Sequence, residues 1–284
     1  MAIGTGQTHW QAGHVGAEGT PYDEVPLQVQ NARFAYERLI DFDTTSEAAY
    51  FSLTQVGAAG TFSNTNEPAG VARLASGAAD NTGVGSLQFD NGVAGTGISV
   101  LLPSTANSLS GLDNRIISCG ARFNVNDYSV SDWFFGLAGI DITLLLTTGL
   151  LAATGCDNCV GWHHCGEAVT QGGLTGADGN DVRLVSAGTA VANMVATRLS
   201  AANVPMPAPT DAAIDGIFVE YVVKIIGTRN VEWYRNGILR HRALLAAAAP
   251  LAAVVLTPSF AHLTAGGGGA VNMDIDYVWS AATR

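Results

Sequence analysis

The chain has 284 residues, 48% of them hydrophobic and only 13% charged, with a formal net charge of −11. This composition excludes a charge-rich disordered chain. It also argues against nucleic-acid binding as the main role, because a phosphate-binding surface needs clustered Lys and Arg.

Residues 1–32 are polar, rich in Gly, Gln and His, and keep neither a helical nor a strand period. Met1-Ala2-Ile3-Gly4 lacks the basic start and apolar run of a secretion signal, so synthesis in a reducing cytoplasm is expected. A disordered tail is one reading of this segment. The other is an extended N-terminal arm, residues 1–35, that orders against a neighbouring subunit through Trp10, Tyr22, Leu27 and Phe34, and the arm is the expectation carried forward.

Strand signals begin near Phe34 and occupy residues 36–284, read as one sandwich domain. Candidate strands are Arg38–Phe42, Tyr50–Leu53, Val71–Ala75, Ser86–Phe89, Ile98–Leu102, Arg115–Cys119, Ala121–Val125 and Asp132–Leu137. Their short length, near-regular spacing and Gly/Asn/Asp turns predict a sandwich or jelly roll. Short helices fit 142–153 or 243–249, where Ala and Leu accumulate without clear caps. The apolar stretches 133–153 and 244–256 are interrupted by Asp141 and Pro250, so no membrane span is expected.

The clearest local signal lies in residues 217–242. Ile217, Val219, Tyr221, Val223 and Ile225 fall on one side of an extended segment, with Glu220 and Lys224 on the other. Turns at 227–230 and at Asn236-Gly237 return the chain twice, which predicts a three-strand antiparallel meander. A closing strand follows over 271–279.

Four segments, in this order, resemble the concanavalin A-like (laminin-G-like) jelly rolls carried by tailed-phage virion proteins. They are Gly70–Asn81, Trp133–Asp141, Val231–Gly237 and Met273–Trp279. The resemblance implies a two-sheet antiparallel sandwich serving as a structural or attachment module on a virion. The same architecture also hosts lectins and glycanases. A glycanase needs two carboxylates about 5 Å apart when it retains configuration, and the Glu-x-Asp-x-x-Glu pattern of such enzymes is absent. Asp274 and Asp276 share a strand face, whereas Asp141 and Glu232 stand isolated in sequence. Asp178, Asn180 and Asp181 lie in a turn that lacks the closing Glu of a calcium loop.

Cys156, Cys159, His163 and Cys165 fall within ten residues and have the donor set of a structural zinc site. Reduced cysteines packed as small apolar residues, or a disulfide formed after release from the cell, fit the same residues. The expected function is a non-enzymatic virion structural protein, foremost a capsid decoration (cement) protein. Its expected partners are the major capsid protein or other virion proteins, and further copies of itself. The alternative is a carbohydrate-binding, lectin-like module of a head or tail fibre. Trp133, Trp233 and Trp279 are assigned to the core.

Overall fold

The structure, a computed structural model, describes residues 34–42, 51–57, 60–65, 70–89, 100–101, 116–139, 144–145, 159–165, 170–171, 174–175, 182–187, 195–198, 215–227, 230–244, 255–266 and 269–283. Its strands, in chain order, are β1 Phe34–Asp41, β2 Ser52–Val56, β3 Thr61–Thr65, β4 Val71–Ala75, β5 Gly83–Gln88, β6 Val100–Leu101, β7 Ile116–Val125, β8 Ser131–Ala138 and β9 Cys159–His164. They continue as β10 Thr170–Gln171, β11 Leu174–Thr175, β12 Val182–Ala187, β13 Val195–Arg198, β14 Val219–Ile226, β15 Asn230–Arg235, β16 Ile238–Leu244, β17 Val255–Thr264 and β18 Asn272–Thr283. Between β7 and β8 the chain makes one 3-10 turn, Tyr128–Val130, capped by the Asp127 carboxylate, which accepts from the Ser129 N–H.

Two eight-stranded antiparallel sheets result. The first runs β16-β15-β14-β7-β18-β4-β3, with β1 also on β18. The second runs β13-β12-β9-β8-β17-β5-β2, with β6 also on β17. In each sheet one long strand has a continuous partner on one side and two shorter partners on the other. β18 pairs with β7 along its length, with β4 through Asn272–Ile275, and with β1 through Tyr277–Thr283. β17 pairs with β8 on one side, and with β6 and then β5 on the other. Pro258 sits where β6 has ended and β5 has not begun. Its carbonyl accepts from the Phe89 N–H just beyond β5, and among the described residues no strand partner there needs the N–H it lacks.

Side chains alternate across each strand, and the inward sets from the two sheets form one core. Phe123, Val125, Tyr221, Val223, Trp233, Ile275 and Val278 face Leu87, Trp133, Phe135, Val160, Trp162 and Phe260. Two tryptophans tie the sheets reciprocally. The Trp162 indole N–H, on β9, donates to the Val222 carbonyl of β14 at 3.2 Å, and that of Trp233, on β15, donates to the Gly161 carbonyl of β9 at 2.9 Å. Each buried indole thus keeps its polar atom paired while its ring fills the space between the sheets.

The meander predicted over 217–242 is β14-β15-β16, and Asn236 and Gly237 both adopt positive φ (45° and 78°) at its second turn. Other expectations need correction. Arg115–Cys119 and Ala121–Val125 form one strand, β7, running through Gly120. Within the Cys/His run, Cys159–His164 is a fully buried strand between β8 and β12. Ala243 and Leu244 end β16 and do not start a helix. Phe34 begins β1, opposite Thr283, inside the segment assigned to the arm. Trp10, Tyr22 and Leu27 lie outside the described residues. Among the described residues no helix is long and apolar enough to cross a membrane.

Candidate functional site

The outward face of the first sheet carries an array of hydrogen-bonded tyrosine, arginine and carboxylate side chains. Across β18, β7, β14 and β15 the register lays out parallel rows. Tyr277, Arg122 and Glu220 form one, Trp279, Gly120, Val222 and Tyr234 the next, and Ala281, Ser118, Lys224 and Glu232 the third, which Arg242 of β16 extends. Gly120 is required here. A Cβ at this position would stand 2.6 Å from the Trp279 indole, which lies over the glycine. The Trp279 N–H is buried and has no hydrogen-bond partner among the described residues.

A bulge between Ile275 and Tyr277 shapes the first row. Strict alternation would place Asp274 and Asp276 outside and Tyr277 inside, but the extra residue turns Tyr277 outward as well. Its hydroxyl donates to Glu220 Oε1 at 2.8 Å. Beside it Arg122 Nη1 meets Asp276 Oδ2 at 2.6 Å, and the Arg122 guanidinium lies over the Phe218 ring. Arg73 grips Asp274 with two hydrogen bonds, Nε to Oδ1 at 2.6 Å and Nη2 to Oδ2 at 2.9 Å. In the third row Glu232 accepts from the Tyr234 hydroxyl at 2.7 Å and from Arg242 Nε at 2.7 Å, with Lys224 Nζ 3.5 Å away.

The two glutamates are shifted in opposite directions. Burial pushes the Glu220 carboxyl well above the usual range, and the Tyr277 hydrogen bond offsets only part of this. Burial would raise Glu232 too, but the Tyr234 hydroxyl, Lys224 and Arg242 more than reverse it and hold the group below its ordinary value. One carboxyl of the face is therefore made harder to ionise and the other easier. Because Glu232 sits opposite Lys224, it is four residues along β14 from Glu220, about 13 Å at strand rise. That separation exceeds the roughly 5–9.5 Å at which two carboxyls share one glycosidic bond.

The Glu220 shift has a measurable consequence, opposite in sign to that of the buried His262. On the inner side of the second sheet, burial lowers His262 to about 4, and its Nε2 contacts Ser131 Oγ at 2.9 Å. Between pH 6.5 and 4 the unfolded chain binds a proton there that the folded chain refuses, so stability falls with pH by up to about 3 kcal/mol. Glu220 works the other way. Above its unfolded value, near 4.5, only the folded chain keeps the proton, so stability falls as pH rises. In urea titrations across pH, His262→Gln is expected to flatten the acid limb and Glu220→Gln the alkaline limb. An unchanged alkaline limb in Glu220→Gln would show that this carboxyl is ionised.

Of the metal-site residues, Cys159, His163 and Cys165 lie on or just after β9, and Cys156 is outside the described residues. Four residues of extended strand separate Cys159 from His163 by about 13 Å, too far to share an ion bound at about 2 Å. Cys159 instead packs on the outer side of the second sheet with Phe134, Ala138, Leu144 and Ala261. Among the described residues no three of His, Cys, Asp and Glu gather as a metal site. Asp141 and Asp178–Asp181 also lie outside the described residues. Glu232, isolated in sequence, is the most heavily partnered carboxylate of the face. Glu220 was legible only as a polar position on β14, and its link to Tyr277 depends on the bulge.

No protein-family model and no curated protein matches the sequence. Solved structures do match. The mixed-linkage glucan GH16 protein of Bacteroides ovatus, in complex with a product, superposes with TM-score 0.53 at 14% identity, over 85% of this chain and 98% of its own. The glycoside hydrolase family 16 endo-glucanase of the same organism gives 0.52 at 13%, over 85% and 98%. Arcelin-5, a lectin-like defense protein from Phaseolus vulgaris, gives 0.52 at 8%, over 88% and 100%. The fold is a concanavalin A-like jelly roll. This confirms the fold class expected from the motif order. The expectation of a non-enzymatic protein is corrected, because the same sandwich is that of glycoside hydrolase family 16 enzymes. The anchors on which the cement-protein expectation rested, apart from Phe34, lie outside the described residues.

Proposed function

We propose that this protein binds carbohydrate, and that the ligand lies across the outward face of the first sheet along Tyr277, Arg122, Asp276, Tyr234 and Lys224. The observation that carries this reading is the pre-set polar array itself. Hydroxyl, guanidinium and carboxyl groups are fixed by mutual hydrogen bonds within and between β18, β7, β14 and β15, so little side-chain freedom is lost when a ligand arrives. Sugar hydroxyls donate and accept, and such an array offers both. Tyrosines beside it supply apolar ring surface. The lectin-like and glucan-processing proteins that share the fold support the same reading.

A glycan array with the intact protein tests it, followed by titration of the best ligand against Asp276→Asn and Tyr277→Phe. Each variant removes one or two hydrogen bonds and is expected to weaken binding about tenfold. No signal on the array, or unchanged affinity in both variants, would refute the assignment. The ordered motif set supports carriage on a tailed-phage virion, where the module would attach the particle to a cell-surface glycan. Mass spectrometry of purified particles checks that location.

A further inference from the structure

Resting on the carbohydrate-binding reading, we infer that the ligand is an anionic glycan, one bearing carboxylate or sulfate groups. The basis is how the ion pairs of this face are layered. In all three arginine–carboxylate pairs among the described residues the acid lies underneath and the cation on top. Side-chain exposure is 39% for Arg73 against 19% for Asp274, 47% for Arg122 against 20% for Asp276, and 64% for Arg242 against 4% for Glu232. The layer that a ligand meets is therefore guanidinium, on a protein whose net charge is −11. Arg122 is the best placed of the three. Among the described residues its guanidinium engages Asp276 through Nη1 alone, and its remaining N–H groups are a fork suited to a carboxylate or sulfate. The Phe218 ring behind it limits its movement. The less exposed carboxylate beneath each arginine holds it in place and offsets its charge.

Two matched polysaccharide pairs test the inference on the intact protein by calorimetry at physiological salt. Polygalacturonate is compared with its methyl ester, and dextran sulfate with dextran, so that the carboxylate and sulfate sources are read separately. The acidic member of at least one pair is expected to bind ten times tighter than its neutral counterpart or better. Arg122→Gln should remove most of that preference while the unfolding midpoint moves by only a few degrees, and Arg242→Gln serves as the second variant should the first fold poorly. Equal affinity for neutral and acidic members would overturn the anionic assignment and leave carbohydrate binding standing. Binding of neither pair, with hits elsewhere on the glycan array, would do the same. An empty array would remove both readings. Single-stranded DNA competing as well as the acidic polysaccharide would reduce the effect to simple charge and also overturn the assignment.

Discussion

Trp162→Ala is expected to destabilise the protein by about 4 kcal/mol, lowering its thermal midpoint by roughly 10 °C. Trp162 is among the largest fully buried side chains, and its ring packs against Tyr221 of the opposite sheet at 5.0 Å between centroids. Alanine leaves a cavity between two sheets whose backbones are held by their own ladders and cannot collapse into it. The hydrogen bond to the Val222 carbonyl is lost as well. Trp162→Phe separates the two contributions, since it keeps most of the ring volume and removes the N–H, and about 1–2 kcal/mol is expected. Because Trp233 makes the reciprocal bond to Gly161, next to Trp162 in β9, the two phenylalanine variants should couple in a double-mutant cycle. A shift under about 3 °C for Trp162→Ala would show that the sheets are not clasped at this point.

Gly136→Ala is the second large effect expected, about 3 kcal/mol. Gly136 of β8 and Gly161 of β9 are direct partners in the ladder. A Cβ on Gly136 would stand 2.3 Å from the Val160 carbonyl oxygen and 2.5 Å from Gly161 Cα. Both are backbone atoms of a strand held on both sides, so the methyl can be admitted only by parting β8 from β9. Gly216→Ala is the fitting control. Gly216 has φ of +68° with nothing within 4 Å of the added carbon, so only the left-handed penalty of about 1–2 kcal/mol applies. Equal losses in the two variants, measured by chemical unfolding, would mean that the close approach at Gly136 relaxes freely.

These two sites also mark what a sequence reading could and could not reach. β4 and the β14-β15-β16 meander were legible because one face is apolar and the other polar, and because Asn236-Gly237 is a turn with a local cause. β9 and β17 were not. Both are buried on both faces, so alternation is erased. Gly161 and the histidines in one, and Pro258 in the other, look like loop or edge signals when their long-range partners are unseen. Gly120 split β7 in the sequence for the same reason, since the ring that needs it to be small arrives from residue 279. The site follows this pattern. The carboxylates and tyrosines were visible as residues, but which of them meet was decided by one bulge at Asp276. The Cys/His cluster was the opposite case, close in sequence and drawn apart by strand extension.

The placement of β18 has a consequence for how the protein is made. Residues 272–283 occupy the middle of the first sheet, between β7 on one side and β4 and β1 on the other. During synthesis the earlier strands of that sheet leave the ribosome in three groups, β1, β3-β4 and β7-β14-β15-β16, with no common neighbour and with edges unpaired until β18 emerges. Contacts so far apart along the chain form slowly, and exposed edges meanwhile invite pairing with other nascent chains. Completion of the sheet is thus timed to the end of translation of this segment, and chains stalled before residue 272 would be substrates for chaperones and proteases.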